Sequence, residues 1–245
     1  MSHALRVRVV AIVSGLVVFA LAASVARTGT VPPWEASVFR AVNGLPGVLF
    51  LPMQAAQYLG VLAVGPIVAV VALVFRRWWL ALAAVLVTLL KLGTERFVWN
   101  VLDISRERPA VTEPVVHLRG DVATSGVSFV SGHVMLVTGL AWILTPYLRG
   151  RWRIVPWAVV ALVSFARLYL GAHNPLDVIG GLALGTVIGA GVSLVLQLPR
   201  EREAGTVVVG SAGDGALVEG LGGPHGAMSD HVDDRERRDG ADGAE

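Results

Sequence analysis

Three stretches of this chain, Val9–Ala26, Gly47–Phe75 and Val178–Leu198, run for 18 residues or more without one charged side chain. A backbone crosses hydrocarbon only as a helix or a closed barrel, because no water is there to satisfy its polar groups, and a helix needs about 20 apolar residues to do so. Three shorter uncharged runs follow the same pattern. Trp78–Leu90 must continue through Lys91, Glu95 and Arg96 to be long enough, Val134–Leu148 stands alone, and Ile154–Phe165 continues through Arg167 towards Gly171. The expected fold is therefore all-α: a polytopic membrane protein built as a bundle of six transmembrane helices. With 54% hydrophobic and only 16% charged residues, the chain lacks the charged surface a soluble domain of its size needs. It has no cysteine, which excludes disulfides, thiolate nucleophiles and cysteine-ligated metals.

The basic residues orient the spans. Arg6 and Arg8, the turn Arg76-Arg77, the turn Arg149–Arg153, and Arg200 with Arg202 all fall on one side of the bundle. Basic loops stay in the cytoplasm, so the segments near 27–47, 100–130 and 172–177 are expected outside. Ser24-Val25-Ala26 has the small residues of a signal-peptidase site, but the preceding apolar run is long for a signal peptide. Cleavage there would leave the other five helices oriented as before. Three regions are expected: residues 1–46 as an N-terminal transmembrane helix and outer loop, 47–198 as the membrane core, and 199–245 as a disordered cytoplasmic tail rich in Gly, Asp, Arg and Glu. His225 and His231 lie in that tail and read as solvated.

Ionisable residues at membrane depth are costly and mark function. Arg106 and Arg108 follow the third helix on its outer side. Ser131, Gly132 and His133 open the fourth on that side, Arg167 sits near the outer end of the fifth, and His173 and Asp177 occupy the turn into the sixth. This set suits phosphate. Arginine offers a planar fork of donors and stays charged, and Ser131-Gly132 at a helix start offers backbone N–H groups to an anion. An aspartate bonded to one imidazole nitrogen leaves the other as base or nucleophile, with His133 free as a general acid. If the sixth helix begins before His173, one turn joins it to Asp177; if not, a short turn does. Lys91 and Glu95, four apart, read as a mutually neutralising pair. His117, Arg119 and Asp121 read as a solvated polar loop.

Arg106-Glu107-Arg108-Pro109, Ser128-Phe129-Val130-Ser131-Gly132-His133 and the run Arg167, His173, Asp177 together resemble the type 2 phosphatidic acid phosphatase superfamily. Its pattern is Lys, six residues, Arg-Pro; then Pro-Ser-Gly-His; then Ser-Arg, five residues, His, three residues, Asp. The third spacing is met in full, and the resemblance spans about 46–198. It implies that His173 is a nucleophile forming a phosphohistidine, Asp177 its orienting partner, and His133 the acid for the leaving oxygen. Arg108, Arg167, Ser131 and the Gly132 backbone are then the phosphate cradle. It implies no cofactor and no metal, and partners limited to the bilayer and a lipid phosphate, with no nucleic acid. Val130 and Ala166 replace the family's proline and serine. The position seven before Arg108 is Val101 where the family has lysine, with Trp99–Ser105 resembling a short insertion, so Lys91, Arg96 or Arg106 must supply that charge or the cradle has one cation fewer. The expected function is hydrolysis of a phosphomonoester or diphosphate on a lipid, such as a polyprenyl diphosphate or a phosphatidate-like lipid, at the outer face of a bacterial plasma membrane. The alternative is a non-catalytic lipid-phosphate binder or translocator.

Overall fold

The computed structural model describes residues 2–199, so the expected disordered tail, with His225 and His231, lies outside the described residues. Within them there is no β-strand, only a single bridge between Glu107 and Val127. Nine α-helices follow in order: α1 His3–Ala26, α2 Pro33–Asn43, α3 Phe50–Gln57, α4 Val64–Val74, α5 Trp78–Asn100, α6 Pro109–Thr112, α7 Gly132–Leu144, α8 Val155–Tyr169 and α9 Pro175–Val195.

By length and composition, three helical segments are able to cross a membrane: His3–Ala26, Gly150–Tyr169 and Pro175–Val195. A fourth is gained if Pro33–Asn43 and Gly47–Gly60, bent by 80°, count as one broken span. This is fewer than the six expected. The largest difference lies in Gly47–Phe75, which is not one helix. It breaks where Val61 turns extended (ψ 153°), between a 3-10 turn at Tyr58–Gly60 and α4. Gly60 stands beside the break, and a β-carbon there would lie 2.8 Å from Cβ of His133, so the chain passes against α7 at a point only glycine permits. The expected continuation of the third helix beyond Leu90 is seen, as α5 runs unbroken through Lys91 and Glu95 to Asn100.

α9 is the centre of the bundle, packed against α1 on one side and α7 on the other. Its contact with α7 runs along small residues. A β-carbon on Gly185 would meet the Met135 carbonyl oxygen at 2.6 Å, so the two backbones nearly touch, which is how helices associate where lipid removes the hydrophobic drive between them. Phe129 stacks on Phe19 of α1 at 6.0 Å and is wholly buried, which anchors the loop before α7 beneath the N-terminal helix. The consequence for function is geometric. The C-terminal ends of α5 and α8 and the N-terminal ends of α7 and α9 come together at one end of the bundle. The basic turns that start α5 and precede α8 lie at the other.

Candidate active site

At that end a cavity of about 500 Å³ opens among Gln57, Tyr58, Lys91, Glu95, Arg108, Asp121, Gly132, His133, Arg167 and His173, with several apolar neighbours. Residues from six separate parts of the sequence reach it. Two predicted site residues, Ser131 and Asp177, do not line it. They are fully buried (0% exposed) directly behind it, with the Ser131 N–H donating to the Asp177 backbone carbonyl at 2.9 Å.

α9 starts at Pro175, after His173, so the short-turn alternative holds. Asp177 sits in the first turn, where its Oδ2 accepts from the backbone N–H of Asn174 at 2.8 Å. A carboxylate at this place complements the helix dipole as well as the cap. Its distance to His173 is longer than a direct bond allows, with Oδ2 3.7 Å from Nδ1. Ser128 fills the gap: its hydroxyl lies 3.3 Å from His173 Nδ1 and donates to Asp177 Oδ2 at 2.5 Å. The hydroxyl has one proton and accepts as well, so a chain runs from the Nδ1 proton through Ser128 to the carboxylate and leaves Nε2 as the unoccupied ring nitrogen. Ser128 was a missed residue. Its position is set by backbone, as its N–H donates to the Arg106 carbonyl at 2.7 Å. Burial pushes the His173 imidazole down to about 4, with the charges of Arg167 and Arg108 adding to it and the Asp177 carboxylate working against it. At neutral pH the ring is therefore uncharged.

The two arginines both line the cavity and are held by hydrogen bonds. Arg108 donates through Nε to the Ser125 carbonyl at 3.1 Å and through Nη1 to the Ala172 carbonyl at 3.0 Å. Arg167, 5% exposed, donates through Nη1 to Gln57 Oε1 at 2.7 Å, while its Nε is buried without a partner. The Ser131 hydroxyl is also buried and unpartnered. Buried donors normally find partners, and Arg167 lines the cavity, so its open Nε matches an anion there, whereas the Ser131 hydroxyl stands behind the lining.

Lys91 and Glu95 form the expected pair, with Nζ and Oε2 2.7 Å apart, and they also line the cavity. They press on the start of α7: a β-carbon at Gly132 would fall 1.8 Å from Glu95 Oε1. Of the three proposed substitutes for the family lysine, Lys91 alone faces the cavity. Arg106 is 0% exposed and paired at 2.6 Å with Glu35 of α2; Arg96 is exposed and is not among the lining residues.

The solvated reading of Arg119 is overturned. Its guanidinium donates to the carbonyls of Asn43 (2.7 Å), Tyr169 (2.8 Å) and Leu45 (3.1 Å) and lies 4.3 Å from the Tyr169 ring centroid. It fastens the loop between α6 and α7 to α8 and the C-terminal end of α2, and spacing alone gave no sign of those carbonyls. Among the described residues, no group of three or more His, Asp or Glu side chains is placed to hold a metal ion.

The sequence model of the PAP2 superfamily matches residues 56–201. A stretch of 80 residues is 38% identical to the lipid A 4'-phosphatase of Porphyromonas gingivalis, covering 31% of this chain and 33% of that protein. A stretch of 126 residues is 33% identical to phosphatidylglycerophosphatase B of Bacillus subtilis, covering 46% of this chain and 57% of that one. The chain thus spans between a third and just over half the length of these curated relatives. Two solved structures share the fold. The PAP2-type phosphatidylglycerolphosphate phosphatase of Bacillus subtilis superposes with a TM-score of 0.59 at 25% identity, over 78% of this chain and 98% of that one. Aquifex aeolicus LpxE superposes with a TM-score of 0.54 at 26% identity, over 65% and 93%.

Proposed function

The chain belongs to the PAP2 superfamily, and from that premise we propose that it hydrolyses a phosphomonoester or diphosphate on a membrane lipid through a phosphohistidine on His173. The observation that carries this is the pairing of a neutral, buried His173, tied through Ser128 to Asp177, with a second histidine, His133, in one cationic cavity. A binder needs the arginines but has no use for a nucleophile and an acid side by side.

The residues divide the steps. Arg108, Arg167, the Ser131 hydroxyl and the Gly132 N–H hold the phosphate oxygens. Nε2 of His173 attacks phosphorus, the bond from phosphorus to the leaving oxygen breaks, and His133 gives that oxygen its proton. The imidazolium formed on His173 is stabilised by Asp177 through Ser128. Water then attacks phosphorus, His133 takes back a proton, the P–N bond breaks and phosphate leaves. The scheme needs no metal. Phosphate release by the detergent-purified full chain, from a panel of lipid monophosphates and diphosphates with EDTA present, tests it. Release is expected, and its absence across the panel contradicts the proposal.

Lys91 completes the cradle in place of the absent lysine at Val101. Entry of a phosphate draws Lys91 Nζ from Glu95 towards the new anion. Lys91→Ala is expected to lower kcat/KM by about ten- to a thousandfold, the range for one charge-assisted donor lost from a transition state, while Arg96→Ala leaves it unchanged. Equal effects of the two changes would remove Lys91 from the cradle.

The site is proposed to face outwards, because it lies opposite the basic turns at Arg76-Arg77 and Arg149–Arg153. A cysteine introduced at Thr124 is then labelled by an impermeant thiol reagent in intact cells, and one at Arg151 is not; the reverse pattern would place the site inside.

A further inference from the structure

Glu35 and Arg106 are both 0% exposed and neither lines the cavity. Glu35 stands in the first turn of α2, outside the residues that match the family. Its Oε2 accepts from Arg106 Nη2 at 2.6 Å, and its Oε1 accepts from the N–H of Leu176, the residue before Asp177, at 2.8 Å. The other arm of the same guanidinium faces the catalytic pair. Arg106 Nη1 lies 3.6 Å from Asp177 Oδ1, and neither atom has a hydrogen-bond partner. A carboxylate, a guanidinium and a second carboxylate are thus stacked in the interior behind His173. Taking each such ion out of water costs several kcal/mol unless it is well paired. The cap of α9 does not call for the stack, since Asn174 and Asp177 already make it.

α2 is itself fixed in place. Asn43 bridges the backbone of His117 and the Tyr169 carbonyl, at 2.7 to 3.0 Å, and Arg40 pairs with Glu113 at 3.1 Å. The N-terminal segment therefore grips the two chain stretches that carry Arg106 and Asp177.

We propose that Glu35 is a positioning residue for the reaction: it neutralises Arg106 so that the guanidinium steadies the Asp177 carboxylate without cancelling the charge that His173 needs. The inference rests on the phosphatase reading above. The physical reason lies in the charge that develops. When Nε2 of His173 bonds to phosphorus the ring becomes a cation, and Asp177 stabilises it through Ser128. An uncompensated Arg106 would oppose that cation. With Glu35 in place the three buried groups carry one net negative charge beneath the imidazole.

The test compares Glu35→Gln, Arg106→Gln and the double variant as full-length chains in detergent, assayed beside wild type in mixed micelles on whichever lipid of the panel above the wild-type chain hydrolyses fastest. Glu35→Gln is expected to lower kcat about ten- to a hundredfold, with KM within about threefold because the groups that hold phosphate are untouched. Removing both charges should restore kcat at least about fivefold over Glu35→Gln alone, the sign of coupling between neutralising partners. An unchanged kcat in Glu35→Gln, or a double variant as slow as either single one with its melting temperature falling in step, overturns the proposal. Should Glu35→Gln not accumulate as folded protein, the double variant is compared with wild type directly, and a kcat loss beyond about tenfold overturns it. A wild-type chain that releases no phosphate from any lipid of the panel contradicts the phosphatase reading, and this inference falls with it. An active wild type indifferent to Glu35 contradicts this inference alone.

Discussion

His173→Ala is expected to remove turnover entirely, since no other side chain in the cavity is both neutral and tied through its far nitrogen to a carboxylate. The smaller changes around it should be graded. Asp177→Asn removes the counter-charge for the developing imidazolium and is expected to fall between wild type and His173→Ala. Ser128→Ala removes the hydroxyl that spans the 3.7 Å between Nδ1 and Oδ2, and losing a hydrogen bond of this kind costs about 1.5 kcal/mol, or roughly tenfold in rate. The acid limb of kcat/KM gives an independent check. His173 acts only as the neutral ring, and burial holds its pKa at about 4 instead of the ordinary 6.5. Activity should therefore persist through the range where a solvated histidine would already be protonated, and fall as the pH drops through about 4. A limb near 6.5 that shifts neither with the substrate's own phosphate ionisation nor in His133→Ala would mean that the reacting histidine is not the buried one.

The second large effect belongs to His133 and depends on the leaving group. With an alkoxide leaving from a monophosphate, loss of the general acid in His133→Ala should cost about a hundred- to ten-thousandfold in kcat. With a diphosphate the departing group is a phosphate, a weaker base that needs less protonation. The same variant should therefore retain far more of its wild-type rate on diphosphate lipids. Paired assays on a lipid monophosphate and a polyprenyl diphosphate measure the ratio directly. Equal losses on both would show that His133 does not act as the acid. Lipid binding should survive in each of these variants, because Arg108 and Arg167 remain.

What the sequence could reveal of this site follows the kind of signal each residue leaves. The spacing from Arg167 to His173 to Asp177 is a local property, and the Ser131-Gly132-His133 triplet sits at a helix start. Both are readable in one dimension, and the structure brings both to one end of the bundle. The uncharged runs likewise announce membrane helices, but a run carries no mark of where packing interrupts it. At the break, Gly60 packs against His133 of α7, a contact between residues far apart in the chain. Glu35, Ser128 and Arg119 were missed or misread for the same reason. A lone glutamate beside Trp34 looks like an ordinary interfacial residue until Arg106 is seen against it. Ser128 is one serine among several until Asp177 comes within reach of its hydroxyl. Arg119 in a polar loop shows nothing of the three carbonyls it will satisfy. The long separation between Lys91 and Arg108 hid another relation: α5 carries Lys91 to the cavity wall, next to Gly132, although the sequence spacing departs from the family's.

The central claim is that phosphate passes through His173, and trapping the covalent intermediate tests it most directly. The purified chain is mixed for milliseconds with a lipid phosphate labelled on phosphorus, quenched in alkali, and analysed for protein-bound label. The prediction is an alkali-stable, acid-labile phosphoryl group on the peptide containing His173, present in wild type, absent in His173→Ala, and accumulating when His133→Ala slows the hydrolytic step with a diphosphate substrate. Steady release of phosphate with no label on this peptide, and with His173→Ala as active as wild type, would contradict it.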